Sequence, residues 1–285
     1  MIKADGLAAG KGVTVAETVE QAEAAIRDAL EGNAFGDAGA RVVIEDFLVG
    51  EEASILALID GEHIVLLASS QDHKRAYDHD KGPNTGGMGA YSPASIVTDE
   101  VLEKVRKEVY EPTLTELKKR GIEYKGVLYA GLMIDNGQPS VVEFNCRFGD
   151  PETQVVLARW EGDMLPAINA VIDGTLSEDL IAWKSDPAVC IVMASGGYPG
   201  SYEKGKIIEG IQKAETAEEG VVVFHAGTAE KENQVVTSGG RVLGVTALGN
   251  DLTDALSKAY LAVETISFDD AFYRHDIAHR EMNRK

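Results

Sequence analysis

The chain has 285 residues, 44% hydrophobic and 26% charged, a balance typical of globular proteins and large enough for two or three subdomains around sizeable cores. Forty-seven acidic against 27 basic residues give a formal charge of −20, which excludes an extended nucleic-acid surface, because neutralising phosphates needs clustered Lys and Arg. No run of about 18 apolar residues is available to span a membrane. Cys146 and Cys190 make neither a disulfide framework nor a metal motif, and Met1–Gly6 has no signal-peptide pattern, so a cytoplasmic protein is expected.

Taken in order, the chain opens on Lys3-Ala4-Asp5-Gly6-Leu7-Ala8-Ala9-Gly10-Lys11-Gly12, a glycine-rich loop between two short extended segments. The spacing is not that of a Walker A loop. Such a loop either lays backbone N–H groups over a polyphosphate or is a plain hairpin turn. Thr18-Val19-Glu20-Gln21 is a capping box, and Ala22, Ala25, Ile26, Ala29 and Leu30 form one apolar helical stripe closed by Gly32. Arg41–Glu45 reads as a strand running into the acidic turn Asp46–Glu52. Strands are expected over Ala53–Ile59 and Ile64–Ala68, joined at Asp60-Gly61.

Ser69–Pro93 reads as a long polar loop with a basic head, His73-Lys74-Arg75, and a glycine-rich tail, Asn84-Thr85-Gly86-Gly87-Met88-Gly89. Loops this long are commonly functional or disordered. Here the choice is a substrate loop, with Lys74 near a transferring phosphate, or a flexible surface loop. No carboxylate–histidine spacing makes His73 or His79 a metal ligand. A helix is expected over Thr98–Lys119, interrupted near Pro112 and stopped at Gly121. Gly126–Ile134 and the segment after Asp135-Asn136-Gly137 form a hairpin.

In the second strand of that hairpin, alternation places Glu143, Asn145 and Arg147 on one face and Val142, Phe144 and Cys146 on a packing face. A carboxylate and an amide oxygen in a row suit a hard cation such as Mg²⁺. Arg147, next along, can hold a carboxylate or phosphate in a fork. Thr153–Asp173 is expected to be helical with a break at Glu161-Gly162. Beyond Trp183, short strands over 188–194, 221–225, 234–237 and 241–248 precede a helix capped by Asn250. His225 reads as a strand residue, and Arg274, His275, His279 and Arg280 as surface residues.

The run Glu143-Phe144-Asn145-Cys146-Arg147-Phe148-Gly149-Asp150-Pro151-Glu152-Thr153-Gln154, with the segments 2–12, 45–54 and 70–93 and most of the chain after Ala188, resembles the glycinamide ribonucleotide synthetase family of ATP-grasp enzymes. The resemblance covers nearly the whole chain. It implies an α+β, ATP-grasp fold: a small lobe over 1–44 carrying the lid, a hinge and large lobe over 45–183, and a C-terminal subdomain over 184–285. It implies ATP at Lys3, Gly10, Lys11, Gly12, Glu45, Phe47, Leu48 and Glu52 (or Glu51), with Lys3 on the phosphates and Glu45 on the adenine amino group. Asn84, Thr85, Gly86, Gly87, Met88, Gly89 and Asp150 are expected to take substrate, with backbone groups of 84–89 presented to the amino acid. Lys74 and Arg147 are the expected catalytic residues, and Glu143 and Asn145 the metal ligands for Mg²⁺ or Mn²⁺.

The implied substrates are glycine, 5-phosphoribosylamine and ATP, joined through a glycyl phosphate in purine biosynthesis. In the family a further domain precedes the Lys3 strand. Its absence or separate encoding implies a chain that binds ATP but is a poor ligase alone. The rival readings are another ATP-grasp carboxylate–amine ligase or carboxylase, and a nucleotide-binding remnant without turnover.

Overall fold

In the computed structural model, which describes residues 1–6, 12–32 and 36–284, the first unit, Met1–Val49, is a small antiparallel sheet with one helix. Strands β1 (Ile2–Ala4), β2 (Val13–Thr14) and β3 (Val42–Ile44) lie in the order β2-β1-β3. Helix α1 (Val19–Leu30) starts where the capping box predicts: the Thr18 hydroxyl accepts from the Gln21 N–H at 3.2 Å. The apolar stripe is right as far as Ala29, which is buried, whereas Leu30 is exposed.

The second unit begins at Gly50. Strand β4 (Glu51–Asp60) is apolar nearly throughout because both its faces are covered. Ala53, Ile55, Ala57 and Ile59 enter one core, and Leu56 and Leu58 the other, the alternation that a pleated strand imposes. Strand β5 (Ile64–Leu66) returns beside it. The expected loop over 69–93 is instead built of four short strands: β6 (Gln71–Asp72), β7 (Arg75–Tyr77), β8 (Lys81–Asn84) and β9 (Gly89–Ser92). Their partners explain the difference: β7 pairs with β8 and β6 with β9, while β9 also pairs with a strand about a hundred residues later.

Helix α2 (Asp99–Lys104) is capped by Thr98 and passes through one turn of π geometry, Val105–Tyr110, into α3 (Glu111–Lys119). The irregularity thus precedes Pro112, which sits harmlessly in the first turn of α3. Strands β10 (Lys125–Asp135) and β11 (Gln138–Asn145) form the predicted hairpin, with Asn136 and Gly137 both at positive φ, as a two-residue primed turn requires. Helix α4 (Glu152–Ala158), strand β12 (Trp160–Glu161), helix α5 (Leu165–Asp173) and strand β13 (Ala182–Trp183) follow. The expected break at Glu161-Gly162 is therefore a short strand pair.

Strand β14 (Ala188–Ala194), helix α6 (Ile211–Ala217), strands β15 (Val221–His225), β16 (Thr228–Lys231), β17 (Gln234–Thr237) and β18 (Arg241–Leu248), and helices α7 (Leu252–Glu264) and α8 (His279–Met282) complete the chain. The cap of α7 is Asp251 rather than Asn250: its carboxylate accepts from the Asp254 N–H at 2.8 Å.

Two larger sheets result, ordered β11-β10-β4-β5 and β15-β18-β14-β9-β6. The second takes strands from both sides of residue 183, and the chain divides into two compact units at Val49/Gly50. No described helix is long and apolar enough to cross a membrane.

Burial in this unit overturns the surface assignment of Arg274, which is fully buried, and His73 is only 2% exposed. The Arg274 guanidinium is paired with Asp80 at 3.0 Å and Asp276 at 2.8 Å, and donates to the Arg75 carbonyl at 3.1 Å. Asp276 is two residues away, but Asp80 and Arg75 lie nearly two hundred residues off, so the local sequence does not foretell this burial. Arg280 and His279 also reach Asp80, and the exposed His275 ring reaches Asp78.

The His73 Nε2 accepts the Ala278 N–H at 3.1 Å. Burial, with the Arg274 charge beside it, pulls the ring down to about 3. The unfolded chain therefore takes up a proton at this residue as pH falls from about 6.5, while the folded chain does not until about 3. The stability contribution is complete above 6.5 and is lost on acidification through that window. Asp72, whose pKa is raised by burial, acts oppositely, losing stability as pH rises above its ordinary range. His73→Gln places an amide acceptor near the Nε2 position for Ala278 but cannot ionise. Urea denaturation between pH 7 and 4 should show a smaller loss in the variant than in the parent chain.

Candidate active site

At the junction of the two larger sheets, side chains from β4, β6, β10, β11 and α4 converge. The Lys74 ammonium lies 3.1 Å from Glu52 and 3.9 Å from Glu143. Burial works against its charge, but Glu52, Glu143 and Asp72 together outweigh this and raise its pKa, so Lys74 stays protonated. Two residues before it, Asp72 is buried with its Oδ1 lacking any hydrogen-bond partner. Burial and then the neighbouring Glu152 push the Asp72 carboxyl well up. Glu152, 4% exposed at the start of α4, accepts from the Ser54 hydroxyl at 3.1 Å. Ser54 in turn meets the Tyr129 hydroxyl at 2.9 Å. An unpartnered buried carboxylate oxygen is costly, and it is relieved by a cation or N–H donor entering the site.

Two loops close on Asp72. In the first loop, 84–89, the glycines permit close approach of the backbone. The N–H groups of Thr85, Gly86, Gly87 and Met88 already donate to the Lys74 carbonyl, the Tyr198 hydroxyl, the Thr85 hydroxyl and the His73 carbonyl. Gly87 has φ +112°, and a Cβ there would lie 2.6 Å from the Asp72 Oδ1, so only glycine lets the backbone rest on that carboxylate. Met88 is fully buried, Gly89 opens β9, and Asn84 ends β8 exposed.

The second loop carries Asp150. Arg241, at the start of β18, joins the two by donating to the Gly86 and Asp150 carbonyls, both at 2.7 Å, and to the Asp150 carboxylate at 3.1 Å.

Glu143 and Asn145 both lie in β11, but the strand ends at Asn145. Arg147 is therefore not on their strand face; it sits in the following bend and donates to the Phe148 carbonyl at 2.9 Å. The opposite face does not pack either, since Phe144 is 41% exposed and Cys146 is exposed. β11 is an edge strand, and the pairing slips between Gly131 and Leu132, leaving Val142 as an extra residue that breaks the alternation.

Among the described residues no group of three or more His, Cys, Asp or Glu could hold a metal by itself. Glu143 and Asn145 are hard oxygen donors that fit Mg²⁺ only as a partial set, completed by phosphate oxygens and water.

In the first unit, Lys3 and Glu45 pair at 2.5 Å. Lys3 stands opposite Val43 in the β1–β3 ladder, which puts Glu45 on its diagonal. Two residues expected at opposite ends of a nucleotide thus contact each other. Gly12 is buried, its carbonyl accepting from the Ala4 N–H at 2.8 Å. Phe47 is 63% exposed and Leu48 half-buried. Gly10 and Lys11 lie outside the described residues.

Sequence reasoning missed Asp72, Glu152, Ser54, Tyr129 and Arg241. Only Asp72 had a usable signal, an acidic residue beside a basic head in an acidic chain. Glu51, the alternative to Glu52, is committed elsewhere, accepting from Gln71 at 2.9 Å and pairing with Arg284 at 2.6 Å.

This fold and its lysine–carboxylate cluster define an ATP-grasp protein. The biotin carboxylase domain of the Hydrogenobacter thermophilus 2-oxoglutarate carboxylase superposes with a TM-score of 0.66 at 16% identity, over 95% of this chain and 57% of that one, which speaks for the fold alone. Residues 1–153 match the phosphoribosylglycinamide synthetase ATP-grasp (A) domain and residues 188–280 the C domain of the same synthetase.

The chain belongs to the phosphoribosylglycinamide synthetase family. The phosphoribosylamine–glycine ligase of Pseudomonas aeruginosa is 54% identical over 286 residues, and that of Escherichia coli K12 is 53% identical over 287. Both alignments take in 100% of this chain and 66% of the relative, so the chain spans about two-thirds of the length of these curated relatives. The crystal structure of the Thermotoga maritima ligase superposes with a TM-score of 0.87 at 37% identity, over 97% of this chain and 68% of that one.

Proposed function

We propose that this chain uses ATP to activate glycine as glycyl phosphate, the first half of its ligation to 5-phosphoribosylamine in purine biosynthesis. The observation that carries the reading is the pairing, two residues apart, of a buried carboxylate whose Oδ1 has no hydrogen-bond partner and a lysine held protonated. Asp72, backed by Glu152, takes the ammonium of the amino acid, whose positive charge offsets their burial. The glycine carboxylate then lies toward Lys74. A carboxylate is a poor acyl donor because oxide is a poor leaving group. Transferring the γ-phosphoryl breaks its bond to the β-phosphate oxygen and forms an acyl phosphate. The amine next attacks the acyl carbon, phosphate leaves with the C–O electrons, and the amine proton passes to solvent.

Phosphoryl transfer needs mainly positioning and charge neutralisation, and Lys74 supplies the latter. Arg147, in a bend beside the Asp150 loop, neutralises the acyl phosphate as it forms. Lys3, Gly10, Lys11 and Gly12 are assigned to the nucleotide phosphates, Glu45, Phe47 and Leu48 to adenine, and Glu52 to ribose. For Lys3 and Glu45 this requires their mutual ion pair to open. A divalent ion held by Glu143 and Asn145 supplies further neutralisation of the triphosphate; Mg²⁺ is the ion proposed, with Mn²⁺ as a substitute.

The metal assignment predicts that Glu143→Ala weakens the Mg²⁺-dependent part of ATP binding by about tenfold, the scale of one charge-assisted oxygen contact. Calorimetric titration of ATP with and without Mg²⁺ checks it. An unchanged Mg²⁺ dependence in a folded variant removes Glu143 from the ligand set.

A further inference from the structure

Arg241 lies about ninety residues beyond the Asp150 loop, yet its guanidinium is the shared partner of both loops over Asp72. Nη1 donates to the carbonyls of Gly86 and Asp150 at 2.7 Å each, and Nη2 to the Asp150 carboxylate at 3.1 Å. The base of the side chain is fixed. Arg241 opposes Ala194 where the β14–β18 pairing shifts register, and the preceding Gly240 carbonyl accepts the Ser195 N–H at 2.8 Å. Tyr198, packed against Gly240, sends its hydroxyl to the Gly86 N–H at 2.9 Å. Gly86 is thus gripped at its carbonyl by Arg241 and at its amide by Tyr198. Gly86 itself has no positive φ, and a Cβ there would stand 3.0 Å from the Arg241 guanidinium carbon. Glycine at 86 is therefore explained by the arginine, not by the backbone.

We propose that Arg241 is the positioning residue that clamps the 84–89 and 149–152 loops together over the amine-accepting carboxylates, and so sets the affinity for the amino acid without touching ATP. The proposal rests on the functional reading above for its substrate, but the clamp itself can be tested without it. A planar fork reaching two carbonyls and a carboxylate is work for Arg and not for the point charge of Lys. Because β18 lies inside a five-stranded sheet, the guanidinium has a rigid mount, which precise positioning demands.

Hydrogen exchange on the unliganded chain tests the clamp first. Arg241→Ala should speed exchange at least tenfold in peptides covering both 85–88 and 149–153, with β14 and the rest of β18 unchanged. A double-mutant cycle gives a second reading: Gly86→Ala should destabilise the parent chain more than it does the Arg241→Ala chain, where the guanidinium it would meet is gone. No change in either loop, a change in only one, or additive effects of the two substitutions would each overturn the clamp.

Glycyl phosphate is then read with hydroxylamine, whose nitrogen attacks the acyl carbon and releases phosphate, giving glycine hydroxamate. Arg241→Ala should raise the glycine KM at least tenfold and leave the ATP KM within twofold. Millimolar guanidinium should restore part of the loss, and Arg241→Lys should recover less than half of it. Equal rises in both KM values, with no rescue, would mean that Arg241 is merely structural. If the unsubstituted chain makes no hydroxamate, the functional reading fails, and the exchange and cycle results still decide the clamp.

Discussion

Replacing Lys74 by Met should lower glycine hydroxamate formation by about 10² to 10³, the loss seen when one preorganised group facing developing charge is removed. MgATP affinity should change much less. The ammonium is held by Glu52 at 3.1 Å and by Glu143 at 3.9 Å in the resting chain. Much of its electrostatic worth is thus engaged until phosphate arrives. Methionine keeps most of the stem volume in the small cavity that Lys74 lines together with Val142 and Tyr129. The result would read as a kcat effect. A variant with ordinary kcat and a raised ATP KM would place Lys74 on the nucleotide instead of the transferred group.

The second large effect is on stability. Arg274→Met should cost about 3–5 kcal/mol, the usual penalty for removing one partner from a buried ion pair. The guanidinium is fully buried, and it faces Asp80, Asp276 and the Arg75 carbonyl. Burial alone would raise the pKa of Asp80 and Asp276, but the arginines hold both below the ordinary range. Without Arg274 those carboxylates stay partly buried and under-compensated. Adding Asp80→Asn and Asp276→Asn to the Met variant should recover much of the loss, because the penalty comes from stranded charge. Urea midpoints for the three chains check this. A single variant as stable as the parent would show that Arg280 and His279 suffice for the acidic cluster.

What could be read from the sequence follows the range of the interactions. The β10–β11 hairpin was legible because Asn136-Gly137 states its own turn, and the starts of α1 and α2 because Thr18 and Thr98 sit one residue before them. The glycine content of 84–89 was legible, but the close approach of Gly87 to Asp72 and of Gly86 to Arg241 was not, because neither partner belongs to the run. Strands of two to four residues such as β6 and β9 leave no periodicity to count. The site itself was half visible. Lys74, Glu143 and Asn145 stand out in local runs, whereas Ser54, Tyr129, Glu152 and Arg241 become neighbours only through pairings 75 to 155 residues apart in sequence. Arg147 was misplaced because alternation was carried past the end of the strand. Arg274 looked superficial for the reason that a charged residue near a terminus usually is.

The central claim, activation of a small amino acid as its acyl phosphate, is tested most directly by incubating the chain with MgATP, hydroxylamine and glycine. Hydroxylamine stands in for the second substrate, so the measurement isolates the half-reaction assigned to Asp72 and Lys74. Glycine hydroxamate should form with one ADP per hydroxamate, dependent on glycine and lost in Lys74→Met. ADP formation at the same rate with and without glycine, and no hydroxamate, would contradict it.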